Sequence, residues 1–255
     1  MIRAAMIRAA LFGLLLASPA VAEEIVAGLS QNRVSITADF DGSEILIYGA
    51  VKRDAPAPEG RLEVIITVEG PQTPLVIRKK SRIAGIWINR DQVTIDASPS
   101  FYAVATTGPL TEILSDTDDL RHNITLPRVI RAVGISAEAA NAPDFVEALL
   151  RVRRAEDRFR VMEGLVQFTE ATLFRTDVVL PANLIEGQYT VRMFLTRAGH
   201  VVAVKERVIG VRKEGLERLI FTMASEQPLA YGLVSLLFAV VAGWGASAAF
   251  RLVRQ

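Results

Sequence analysis

His122 and His200 are the only two imidazoles in the chain, 78 positions apart. Two histidines exclude a histidine-rich metal site, and each reads as a turn or surface residue before it reads as a catalytic base. A Ser-His-Asp constellation assembles in space rather than along the chain, so the histidines alone do not settle that chemistry. No G-x-S-x-G elbow accompanies them, however. P-loop and dinucleotide-binding fingerprints are missing too. The chain has no cysteine, which excludes disulfides, Cys-ligated zinc, iron–sulfur clusters and thiol catalysis. Asp116-Thr117-Asp118-Asp119 has the composition of a calcium loop. An EF-hand starting there needs glycine and glutamate where this chain has Arg121 and Pro127, so the run reads as a solvated helix end. No catalytic residue, cofactor or metal is expected, and the chain is not expected to be an enzyme.

Binding chemistry is better represented. Arg78, Lys79, Lys80 and Arg82 place four cations within five residues, suited to an anion or to lipid headgroups. The same pattern also suits a solvated hairpin loop or a charged edge strand that discourages aggregation. Arg151, Arg153, Arg154, Arg158 and Arg160, interleaved with Glu147, Glu156 and Asp157, read as the solvated face of a helix. Near the C-terminus Ser235, Ala239, Gly243 and Ser247 recur every fourth residue. Such a stripe of small side chains lets a second membrane helix approach closely, and is the candidate helix-packing face.

The elements that must carry these residues fall into distinct stretches. Arg33–Phe40, Ser43–Val51, Leu62–Glu69, Pro74–Lys79, Ile86–Asn89, Val93–Asp96 and Phe101–Thr106 are short β-branched runs with period-two alternation. Asp41-Gly42 predicts a tight hairpin turn between the first two, and Trp87 is expected in the core. About seven strands in residues 23–108 predict an antiparallel, Ig-like β-sandwich. After Thr107-Gly108-Pro109 the pattern turns helical, with Pro109 opening a first helix carrying Leu110, Ile113 and Leu114. A second helix is expected over Asp144–Arg158, with Phe145, Leu149, Val152 and Phe159 on its apolar side. Strands resume at Leu165–Thr169, Leu173–Leu180, Tyr189–Thr196 and Val201–Val211, with Ala198-Gly199 as a hairpin turn. A soft boundary at Gly108–Pro109 makes residues 109–214 a helix-plus-strand region, a candidate second β domain. Tyr189, following the turn from Leu180, is placed to tie a sandwich corner to backbone.

The two ends carry the strongest localisation signals. Residues 1–22 combine Arg3 and Arg8, the apolar run Ala9–Ala17 and a Ser18-Pro19-Ala20-Val21-Ala22 processing site, the layout of a secretory signal peptide. Leu229–Phe250 is 22 residues without a charge, ending in Arg251 and Arg254. As a helix it is long enough to cross a bilayer core of about 30 Å. Residues 215–228 form an amphipathic juxtamembrane stretch with Leu216, Leu219, Ile220 and Met223 on one face. A cleaved signal followed by one span predicts a type I layout, with residues 251–255 as a cytoplasmic tail. The chain's 29 basic and 28 acidic residues nearly cancel. Without the four arginines at the two ends, residues 23–228 hold 25 basic and 28 acidic residues, a net charge of −3. That balance argues against nucleic acid as a partner.

Phe101–Leu110 (FYAVATTGPL), Leu173–Asp177 (LFRTD), Leu180–Tyr189 and Glu226-Gln227-Pro228-Leu229 together resemble an alphaproteobacterial family of single-span transmembrane proteins of uncharacterised function. The resemblance covers essentially the mature chain. It implies an inner-membrane protein with its domain in the periplasm, associated with a TauE/SafE-type permease of sulfur-containing anions. It supplies no catalytic residues. The expected fold is therefore mainly β: a sandwich ectodomain with a few helices, plus one C-terminal transmembrane helix. The function expected is that of a protein-binding accessory subunit of a permease. An envelope enzyme with a site of dispersed residues, or a structural assembly factor, is the alternative. N-terminal sequencing of the protein purified from membranes should begin at Glu23; a chain beginning at Met1 or Met6 would instead reveal an uncleaved anchor.

Overall fold

Seven of the eight side chains in the strand Leu62–Glu69 are buried, which a strand achieves only when a packed layer covers each of its faces. In the computed structural model, which describes residues 23–37, 40–53, 56, 58–130, 142–213, 220 and 223–253, those two layers are different in kind. The strands are β1 (Glu24–Leu29), β2 (Arg33–Ile36), β3 (Gly42–Lys52), β4 (Leu62–Glu69), β5 (Gln72–Ile83), β6 (Ile86–Pro99), β7 (Tyr102–Thr106), β8 (Phe159–Met162), β9 (Gln167–Thr169), β10 (Leu173–Pro181), β11 (Gly187–Arg197) and β12 (His200–Lys213). The helices are α1 (Leu110–Ile113), α2 (Asp116–His122), α3 (Leu126–Val129), α4 (Ala142–Ala155) and α5 (Pro228–Val253).

A four-stranded sheet, ordered β1-β3-β10-β9, faces a six-stranded sheet ordered β2-β12-β11-β4-β7-β8, while β5 and β6 form a separate hairpin. The sandwich core lies between the two larger sheets. Ile25, Ile45, Ile47, Phe174 and Val178 meet Val64, Ile66, Val68, Val191, Met193 and Leu195 there. β10 shows the alternation of a strand covered on one face: Phe174, Thr176, Val178 and Leu180 are inward, and Leu173, Arg175, Asp177 and Val179 outward. β4 and β11 have no such solvent face. Ile65 and Phe194 point away from the sandwich into a second core with Tyr102, Val104, Phe159, Ile124, Leu126, Leu149 and Ile95. The short helices, α4 and the base of the β5–β6 hairpin supply that third layer.

Local contacts close this arrangement. The Tyr102 hydroxyl donates to the Ile124 carbonyl at 2.9 Å, fixing the junction between α2 and α3 on the sheet. Arg192 donates to the carbonyls of His122 at 2.7 Å and Asn123 at 3.2 Å, placing a cation at the C-terminal end of α2 where the helix dipole favours it. The Tyr189 hydroxyl donates to the Ile185 carbonyl at 2.9 Å, the expected corner tie.

Several expectations are corrected. Asp41-Gly42 does not make a hairpin: β2 joins β12 in the six-stranded sheet while β3 joins β1 and β10 in the other. The chain crosses between sheets there, with Gly42 at φ 128° and a Cβ at that position lying 2.8 Å from the Leu180 carbonyl oxygen. Only glycine fits both demands. Gly108–Pro109 does not divide the sheets either, because β3 pairs with β10 and β4 with β11; the two halves of the chain share both sheets. Two parallel pairs, β2 with β12 and β7 with β8, depart from the all-antiparallel expectation. Trp87 is 64% exposed rather than in the core. On α4 the buried apolar residues are Phe145, Leu149 and Leu150, while Val152 is exposed and Phe159 belongs to β8. Ile86–Asn89 and Val93–Asp96 are one continuous strand.

α5 stands apart from these layers. Its segment 228–246 has mean hydropathy 1.9 and no buried residue, and among the described residues it is the one helix long and apolar enough to cross a membrane. The expected leader and half of the amphipathic stretch 215–228 lie outside the described residues. Phe194→Ala should cost about 3–5 kcal/mol, whereas Trp87→Ala should change stability by no more than about 0.5 kcal/mol. Urea unfolding of the detergent-solubilised chain measures both, and similar losses would contradict the exposed position of the indole.

Candidate functional site

The acidic run at Asp116–Asp119 is a capped helix start rather than a metal loop. Ser115 is the N-cap of α2, its hydroxyl oxygen accepting the Asp118 backbone N–H and thereby satisfying an otherwise unpaired first-turn donor. Asp118 in turn accepts from the Ser115 hydroxyl at 3.1 Å and from His200, whose Nδ1 lies 3.0 Å away. Serine and histidine therefore both address the same carboxylate, and the hydroxyl is paired with the acid rather than with an imidazole base. Nucleophilic catalysis needs the opposite order. What the trio does is fasten the β11–β12 turn to α2, together with the Ser115 N–H donating to the Gly199 carbonyl at 2.8 Å. Burial works to raise the Asp118 pKa, but the bonds from His200, Ser115 and the Val201 N–H, with the Arg121 charge, hold it below the usual value. Asp119 closes the other end of the turn, accepting from the Ile124 and Thr125 N–H groups at 3.1 and 2.8 Å. The His122 ring packs edge-on to Phe194 at 5.6 Å, and burial keeps its pKa below the usual imidazole value.

A second polar centre was not anticipated from sequence. Glu23, nearly buried, accepts two bonds from Arg197 at 2.8 Å each and one from Arg53 at 2.7 Å. Burial opposes its charge, and the two guanidinium groups overcome that and hold its carboxyl below the usual range. The pair Arg53 and Arg197 borders a cavity of about 460 Å³ with Leu62, Thr107 and Phe168. Further donors go to backbone carbonyls, Arg53 Nη2 to Ala171 and Arg197 Nη1 to Pro58 and Gly60. The cavity is thus walled by two cations that tie Glu23 to the Ala171 carbonyl and to the 58–60 segment before β4. The sequence carries a signal only in part: Glu23 precedes β1, and Arg53 and Arg197 stand at the ends of β3 and β11, but their meeting is long-range.

The candidate contact residues read from the sequence lie on surfaces where they are described. Arg78, Lys79, Lys80 and Arg82 are all exposed on β5, so the cluster is part of a paired strand and not of a turn; the turn itself is Ala84-Gly85. Of the arginine stripe, Arg153 pairs with Glu156 at 3.1 Å, Arg158 with Glu156 at 3.5 Å and Arg160 with Asp157 at 3.4 Å. These are local pairs in which the arginine side chains are half-buried and the carboxylates face solvent, and Arg158 and Arg160 lie beyond the end of α4. Ser235, Ala239 and Gly243 are exposed along α5, and Ser247 lies on the same helix. A Cβ at Gly243 would meet nothing within 4 Å. A further groove of about 740 Å³ crosses the outer face of the four-stranded sheet, between Val26, Tyr48, Ala50, Leu173 and Arg175. Among the described residues no group of three or more acidic or histidine side chains could hold a metal ion.

A family model described as "Putative transmembrane protein (Alph_Pro_TM)" matches residues 24–252. No curated protein matches the chain.

The pH dependence of stability follows from the two polar centres. Glu23 and Asp118 both have folded-state pKa values below their ordinary ones. Their contribution is therefore complete above the unfolded carboxylate value of about 4 and is lost as pH falls through the lower folded values. Glu23→Gln should cost about 3 kcal/mol at neutral pH, because two guanidinium groups lose their buried counter-charge. It should also flatten the loss of stability below pH about 4, as equilibrium unfolding across a pH series would show. An unchanged acid slope would remove Glu23 from this account.

Proposed function

We propose, on the premise that this chain belongs to the Alph_Pro_TM family of transmembrane proteins, that it is a single-pass, protein-binding accessory subunit of an inner-membrane permease. In this reading the β domain lies in the periplasm, the C-terminus is cytoplasmic, and the chain binds rather than catalyses. The observation that carries it is α5. From Tyr231 to Ala246 every residue is exposed, so none of the described residues of this chain covers Ser235, Ala239 or Gly243 of the small-residue stripe. Inside a bilayer, helices associate through close packing and hydrogen bonds, because lipid tails are as apolar as leucine. Gly243 sits mid-span with no side chain and open space above it, a position where another helix backbone can come close. The resemblance drawn from the sequence gives that neighbour a class, a permease of sulfur-containing anions.

Export supports the same reading. A domain of net charge −3 on the far side of the membrane has no nucleic acid to meet. Its polar constellations at Asp118 and Glu23 are consumed in holding the fold. Solubilisation of the tagged chain in mild detergent, followed by mass spectrometry, should recover a multi-span permease at near-stoichiometric amount. Gly243→Leu should reduce that recovery severalfold without lowering the amount of the chain itself, since its side chain would occupy the space of the neighbouring helix. A strictly solitary wild-type protein would overturn the proposal.

A further inference from the structure

β5 and β6 form a hairpin whose base and tip have opposite characters. At the base, Leu75 and Ile77 of β5 and Ile95 of β6 pack on the second core. Beyond the pairing irregularity at Lys79 and Lys80 the hairpin leaves that core, and from Arg82 to Asn89 every residue is exposed. The tip nevertheless carries large apolar side chains: Ile83, Ile86, Trp87 and Ile88 are 45%, 67%, 64% and 43% exposed. Ile83 faces Ile86 and Ser81 faces Ile88 across the pair, while Arg82 faces Trp87 and Lys80 faces Asn89. Because side chains alternate between faces, one face of the tip is isoleucine and the other is tryptophan with Arg82 and Lys80. Residues 78–90 contain five cations and no acid.

We propose that this hairpin tip docks on an anionic phospholipid surface, the surface of the membrane that α5 spans, as a second and reversible contact of the β domain. Three observations select lipid as the occupant. The first is charge: a wholly basic segment complements anionic headgroups. The second is layering. Ile83 and Ile86 flank the turn and would reach the acyl boundary. Arg82 and Lys80 follow within about 10 Å along a strand rising about 3.3 Å per residue, at the depth of the headgroups. Trp87 is a side chain that prefers that interface. The third is tethering. Residues 214–227 connect β12 to α5 and span at most about 50 Å when fully extended, so the hairpin is confined close to a bilayer and even a weak contact is populated.

The test uses the full chain with Trp244→Phe, which leaves Trp87 as the single indole. The chain is reconstituted into vesicles of phosphatidylcholine with or without phosphatidylglycerol, carrying bromine on the acyl chains. With phosphatidylglycerol, Trp87 emission should shift to the blue and be quenched by the bromines, and high salt should reverse both. The double variant Lys80→Glu, Arg82→Glu should lose the quenching severalfold while unfolding like the parent, since both side chains are exposed and stand clear of the groove that Arg78 shares with Asp144 and Glu147. Emission that stays solvent-like in both vesicle types would overturn the proposal. So would quenching that is equal with and without phosphatidylglycerol. A blue shift without quenching would place Trp87 against protein, such as a second copy of the chain, and would overturn it as well. None of these outcomes depends on whether a permease is bound.

Discussion

The structure depends on one requirement: a sheet whose central strands are apolar on both faces must be covered twice. Residues 62–68 of β4 are all buried, and Phe194, Leu195 and Met193 on its neighbour β11 are fully so. The four-stranded sheet covers one face. Nothing in a two-sheet sandwich covers the other, and the segment between β7 and β8 exists for that purpose. Its first three helices are too short to be stable by themselves; α2 and the start of α3 are held by Tyr102, Arg192 and the carboxylates of Asp118 and Asp119. Even the bulk of α4 and the hairpin base is accounted for as covering for Ile65, Val104 and Phe194.

Polar chemistry follows from this covering. Each of the two carboxylates with depressed pKa values, Glu23 and Asp118, sits where distant segments meet. Each joins parts of the chain that no strand pairing joins. A serine, a histidine and an aspartate within bonding distance are a familiar catalytic set, yet their order here, with the acid in the middle, makes them a clasp. The surfaces left without a covering layer are therefore the informative ones: the span, the hairpin tip and the groove on the outer sheet.

Much of the architecture was legible in the residues. β3, β4, β7, β10, β11 and β12 coincide closely with runs of β-branched alternation, and the span is plain from its uncharged length. The Tyr189 tie follows from a turn-then-strand pattern that is local. What failed was long-range. The Asp-Gly pair at 41–42 has the local chemistry of a hairpin, but strand partners are chosen by distant β10 and β12, and a crossover uses the same left-handed freedom. The boundary near Gly108 is a change in local pattern that the sheets ignore. A large aromatic on a strand usually belongs in the core; only the length of the hairpin beyond its core contacts takes Trp87 into solvent. The basic cluster is legible in the sequence as a run of cations, and its isoleucine and tryptophan partners become visible only through register.

The join between domain and membrane has a mechanical side. β12 is the last strand before the tether, and its final four residues, Gly210–Lys213, run parallel to Arg33–Ile36 of β2 on one side while Gly210 and Val211 still pair with Gln188 and Gly187 of β11 on the other. Tension transmitted from a span moving in the bilayer would pull along the axis of β12. Hydrogen bonds that lie across the direction of pull share the load together instead of opening one at a time. A strand paired on both sides in this way resists a pull along its own axis in shear, so that tension applied at Lys213 in that direction would displace the six-stranded sheet as a unit rather than unravel it.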